Sequence, residues 1–143
     1  MAPKRRTVRD ENVPAHANVL RGLTGPGPVT RAEFAEAARA NHDRYGYWGV
    51  SVWMAVTDDD TDQLLRTRLA RFDRVATYRV ADLSAAGLAV LPTGAAPHAD
   101  VVVITAGVPA DGERALDLLL DRMLATAHTE TDNVHVDREG DGS

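Results

Sequence analysis

The sequence predicts one small domain of the α/β or α+β class: a single mixed sheet of about five strands with three main helices packed on it. Three observations lead there. The length of 143 residues fits one domain. Hydrophobic residues at 44% and charged residues at 26% are ordinary globular usage, enough for a core without metal or disulfide staples. Short apolar or period-two segments alternate along the chain with segments of helical period.

Residues 1–15 are polar and carry Pro3 and Pro14, so they read as a disordered basic arm. The domain is expected over 16–127, followed by a disordered acidic tail over 128–143. Residues 17–23 (ANVLRGL) read as a short strand carrying Arg21, and 24–28 (TGPGP) as a turn in which Gly and Pro alternate. Thr30 with Glu33 three residues later is a capping-box pattern that opens the first helix. Phe34, Ala37, Ala38 and Asn41 share one face of it, and Gly46 closes it or the loop that follows. In the strand 47–56, period two places Trp48, Val50, Val52, Met54 and Val56 on one face and Gly49, Ser51, Trp53 and Ala55 on the other.

Thr57 and Asp60 are both suitable N-caps for the second helix, whose apolar stripe is Leu64, Leu65, Leu69 and Phe72. A strand at 75–80, a one-turn helix at 82–87 stopped by Gly87, and a short strand at 88–91 follow. After the small-residue loop 92–99, the run 100–106 (DVVVITA) reads as a strand covered on both faces. The last helix opens near Asp111, with Leu116, Leu119, Leu120 and Met123 as its stripe. The strands after Gly87 come in quick succession, which makes part of the sheet antiparallel.

Composition narrows the function classes. With no cysteine there are no disulfides, no thiolate zinc site and no cysteine nucleophile, in keeping with a reducing cytoplasm. The net charge of −5 argues against a general nucleic-acid binder, which needs a basic field. No apolar run approaches the ~20 residues of a membrane span, and the basic N-terminus leads into Asp10 and Glu11 rather than an apolar signal core. The basic residues are arginines apart from Lys4, a bias typical of GC-rich bacterial coding.

Five side chains are candidates for chemistry. His98 and Asp100 are the candidate catalytic pair: two apart at the entry to a buried strand, they face the same way, and a carboxylate beside an imidazole raises its basicity. The competing account is a backbone-capping aspartate beside a surface histidine. Arg21, Ser51 and Trp53 are the candidate ligand-binding residues: a guanidinium for an anion, a hydroxyl, and an indole for stacking. Ser51 is not a hydrolase nucleophile, because the glycine that an elbow needs two residues later is Trp53. Asp58, Asp59, Asp60 and Asp62 lack calcium-loop spacing and suit a helix N-terminus. His16, His42, His128 and His135 show no ligand spacing, and Gly22, Gly25 and Gly27 match no phosphate-binding fingerprint. No metal site and no cofactor is expected.

Arg21-Gly22 on an early strand with Ser51 on a later one resembles the NAD site of ADP-ribosyltransferases, but the glutamate that such enzymes need has no place here. Three segments, Gly49 to Trp53, Ala85 to Leu88 and Pro97 to Val101, resemble a group of small stand-alone bacterial proteins of the high-GC, actinobacterial type. That resemblance implies a single domain and no particular activity.

Two function classes follow. The first is a small cytoplasmic accessory or protein-interaction domain, acting with a partner protein or a second copy through the Trp-bearing sheet face or a helix face. The second is a small enzyme or ligand-binding domain for a nucleotide-like or anionic metabolite. It requires Arg21, Trp53, His98 and Asp100 to meet in one pocket.

Overall fold

The computed structural model describes residues 6–25 and 27–135. The described residues form eight strands and four helices: β1 (Asn18–Leu23), α1 (Arg31–Tyr45), β2 (Gly49–Ala55), α2 (Asp58–Arg66), β3 (Arg74–Arg79), α3 (Val80–Ala85), β4 (Ala89–Pro92), β5 (His98–Val102), β6 (Ile104–Thr105), β7 (Val108–Pro109), α4 (Glu113–Ala125) and β8 (His128–Asp132). Six strands form one sheet in the order β4-β5-β2-β1-β3-β8, and β6 with β7 makes a separate hairpin. The fold is α+β. Every pairing is antiparallel, where a mixed sheet of about five strands was expected.

The helix boundaries follow their capping chemistry. The Thr30 hydroxyl accepts from the Glu33 amide at 3.2 Å, and Gly46 closes α1 in the left-handed region at φ 82°. Of the two possible caps for α2, Thr57 is the one used: it and Asp60 exchange side-chain and backbone hydrogen bonds in a complete capping box.

The sheet buries both faces. Val19, Val50, Val52, Ala76, Tyr78, Ala99 and Val101 pack with Phe34 and Ala38 of α1 and Leu119, Leu120 and Met123 of α4. On the opposite face, Leu20, Ala55 and Val75 pack with Leu64 and Leu69, and Phe72 lies against them.

Three expectations are corrected. Residues 6–15 are not a loose arm: Val8 bridges Thr93, and the Arg9 amide donates to the Pro92 carbonyl at 2.7 Å. Residues 1–5 lie outside the described residues. The acidic tail begins as β8, an edge strand on β3, anchored by Glu130 on Arg74 and by His128 stacked on Tyr78; 136–143 lie outside the described residues. Its sequence HTETD is polar because none of its side chains is buried on either face of the sheet. Finally, the run from Asp100 is one strand only as far as Val102. The chain then folds back as the exposed β6-β7 hairpin, turning on Ala106 and Gly107, both at positive φ (53° and 79°).

Candidate functional site

The ladder between β1 and β2 runs from Asn18–Ala55 to Leu20–Trp53, while β2 stays paired with β5 as far as Gly49–Val102. Past Trp53, two β2 carbonyls are taken up by side chains instead of a neighbouring strand. Arg21 donates to the Ser51 carbonyl at 2.8 Å, and Asn41 donates to the Gly49 carbonyl at 2.7 Å. Arg21 is thus a structural donor. Burial lowers its pKa, and the nearby carboxylates of Glu33 and Glu36 offset part of that.

The other four candidates come together. Antiparallel register sets Ser51 opposite Asp100 and Trp53 opposite His98, so all four side chains leave the same face of the sheet. Arg21 pairs with Ala76 and stands on the other face, beside Val19 and Tyr78 in register. The single pocket that would join Arg21 to His98 and Asp100 therefore does not form.

Asp100 is fully buried, and its carboxylate is the hub of a polar cluster. Oδ1 accepts from the Ser51 hydroxyl at 3.0 Å and from Asn41 Nδ2 at 3.2 Å. Oδ2 accepts from the Tyr47 hydroxyl at 2.6 Å and from the Thr93 hydroxyl at 2.9 Å. Four donors fill the lone-pair directions of the carboxylate. Burial, helped by the hydrogen bond to Asp100, pushes the Tyr47 phenol well above its ordinary value, so Tyr47 serves as a donor. Gly49 makes room for this arrangement, since a Cβ there would stand 2.9 Å from the Tyr47 ring.

Arg6 closes the cluster. Its guanidinium lies 3.7 Å from Asp100 Oδ2, donates to Asn41 Oδ1 at 3.3 Å, and sits 4.7 Å from the centre of the Tyr45 ring. His98 is 7% exposed, with Nδ1 at 3.1 Å from the Thr93 carbonyl and Nε2 at 3.4 Å from Arg6 Nη2. A carbonyl only accepts and a guanidinium only donates, which assigns the neutral tautomer with its proton on Nδ1. Burial lowers the His98 pKa, with Arg6 and Arg9 adding to the effect and Asp100 opposing it. As folded, His98 and Asp100 form an enclosed, hydrogen-bonded pair, and Arg6 stands over the imidazole nitrogen that would take a proton.

Arg6, Asn41, Tyr47 and Thr93 were absent from the candidate set. Asn41 carried a signal: a polar side chain on the apolar stripe of α1, seven residues after Phe34. Arg6, Tyr47 and Thr93 lie outside regular elements, and only the fold brings them to Asp100.

Trp53 is half-buried against the α2 side of the sheet. The edge of its ring meets His98 at 5.1 Å between centroids, and Arg68 Cζ lies 5.2 Å from its centre. With Thr67, Ala70 and Arg71 it lines an open depression of about 370 Å³. Among the described residues no three metal-ligating side chains gather, and no helix is long and apolar enough to cross a membrane.

No family model matches the chain, and neither a curated protein nor a solved structure matches it.

Proposed function

We propose that this chain is a small cytoplasmic protein-interaction or accessory domain that works bound to a partner protein. The observation that carries the reading is an aliphatic groove between the β6-β7 hairpin and α4. Val108 is 59% exposed and Leu118 42% exposed, and both line a depression of about 350 Å³ with Val103, Pro109, Ala110 and Ala115, together with the polar Thr105, Asp111 and Arg114. We read these neighbouring exposed aliphatic side chains, gathered in one depression and not scattered, as a surface that another molecule covers. We read the occupant as a different chain, and self-association of the purified protein as the outcome that would replace it. A convex apolar segment of a different chain fits the groove.

The test is a paired capture from native lysate with the wild type and with Val108→Asp/Leu118→Asp, after thermal melts show both to be folded. A partner retained by the wild type and lost by the variant supports the reading. Equal recovery by both, or a purified wild type that self-associates through these residues, overturns it.

A second reading, a binding domain for an anionic, nucleotide-like metabolite, is favoured by the Trp53 depression. Arg68 and Arg71 line it, and neither pairs with a carboxylate among the described residues. Adenosine monophosphate should then raise the melting temperature of the wild type and not that of Arg68→Ala/Arg71→Ala. A flat response in the wild type removes this reading.

A further inference from the structure

The contacts of the N-terminal segment have the form of a bound peptide. Residues 6–9 (Arg-Thr-Val-Arg) run antiparallel past the end of β4. The Arg9 amide donates to the Pro92 carbonyl at 2.7 Å, the Gly94 amide donates to the Thr7 carbonyl at 2.9 Å, and Val8 bridges Thr93. This is strand addition at a sheet edge, with backbone hydrogen bonds for affinity and side-chain contacts for specificity. The two arginines supply the specificity. Arg9 Nη1 donates to the carbonyls of Thr93 at 2.8 Å and Gly94 at 3.0 Å. Arg6 enters the cup formed by Asp100, Asn41, His98 and Tyr45.

Two features separate this cup from an ordinary buried ion pair. First, Asp100 does not depend on Arg6 for its hydrogen bonds. Ser51, Asn41, Tyr47 and Thr93 already supply four, and the guanidinium stands at 3.7 Å, outside hydrogen-bonding distance. Withdrawing Arg6 therefore leaves a formed anionic cup rather than a collapsed one. Second, the wall is shaped to a guanidinium: Gly94 is at φ 62°, and a Cβ there would stand 3.3 Å from Arg6 Nε and Nη2. Asn41 Oδ1, His98 Nε2 and the Tyr45 ring then meet the donors and the flat face of a planar cation, which an ammonium does not match.

We propose that the cup around Asp100 and the adjoining edge of β4 are a receptor for an extended basic segment of the pattern Arg-x-x-Arg, presented by another protein, and that residues 6–9 occupy it in cis. The cis segment holds the site closed, and a partner carrying the same pattern displaces it. This surface is distinct from the β6-β7 groove, and the substitutions of Arg6 and Arg9 below do not touch that groove. The two ideas fail independently.

The test is isothermal titration of the full chain with the peptide acetyl-Arg-Thr-Val-Arg-amide and with its counterpart bearing lysine at both arginine positions. In Arg6→Ala/Arg9→Ala the cis occupant loses both anchors, and the arginine peptide should bind about tenfold more tightly than to the wild type, whose own segment competes. The lysine peptide should bind the variant about tenfold more weakly than the arginine peptide. Absence of binding to the variant, equal binding to the wild type, or equal binding of the lysine peptide overturns the proposal. If the double variant does not fold, Arg6→Lys keeps the charge and the backbone contacts. It should bind the arginine peptide more tightly than the wild type does, and unchanged affinity overturns the proposal.

Discussion

Ser51 and Asp100 stand directly opposite each other on neighbouring antiparallel strands, and the serine hydroxyl donates to the buried carboxylate across 3.0 Å. Both belong to a network in which each polar atom around Asp100 answers another. Such a network rigidifies a core only while every member is satisfied.

Removing its hub should therefore be costly. Asp100→Ala removes the carboxylate acceptor of the Ser51, Tyr47 and Thr93 hydroxyls inside a largely buried cluster, and leaves the Asn41 amide with the Gly49 carbonyl and the Ser51 hydroxyl as its remaining acceptors. We expect a loss of about 3–5 kcal/mol in urea unfolding. Asp100→Asn should cost less, because its shape and one carbonyl oxygen remain. Equal stability of Asp100→Ala and the wild type would show that the cluster carries no structural weight.

Stability should also depend on pH through His98. Burial lowers its folded pKa below the ordinary 6.5, with Arg6 and Arg9 adding to the effect and Asp100 opposing it. Between the lowered folded value and 6.5 the unfolded chain binds more protons, so stability rises with pH across that window and is lost as pH falls through it. The dependence should be weaker in His98→Gln. In Arg6→Ala the His98 ring should titrate at higher pH, as proton NMR of the imidazole can read.

A third expectation concerns Gly22. A Cβ at this position would overlap the Phe72 ring, which packs on the Leu20 cluster. Gly22→Ala should cost about 1–3 kcal/mol through overpacking. Combined with Phe72→Leu, it should cost less than the sum of the two single changes, since the smaller side chain vacates the space. Simple additivity in urea unfolding would mean that the ring is not what Gly22 accommodates.

The helices were legible in the sequence because their signals are local. Thr30 with Glu33, Thr57 with Asp60, and Gly46 each act within a few residues. The pairing of His98 with Asp100 on one face was legible from the alternation of a strand. That Ser51 and Trp53 would be their cross-strand neighbours was not, because register between β2 and β5 joins residues about fifty positions apart. Arg21 looked like an anion-binding group, yet its role is set by a gap in the β1-β2 ladder that no local pattern announces. β8 and residues 6–15 were hidden for the converse reason: their polar composition resembles an unfolded tail, and what orders them is pairing to distant carbonyls and carboxylates.

The segment that brings Arg6 to Asp100 also guards the sheet against its own kind. β4 and β8 are the margins at which another sheet could add itself, strand upon strand, toward a fibril. β8 carries threonines and acidic side chains that make poor templates, and Val8 with Arg9 occupies backbone groups at the end of β4. Loss of the first nine residues would uncover that part of the β4 margin, and we expect such a truncated chain to form thioflavin-positive aggregates at concentrations where the full chain stays clear.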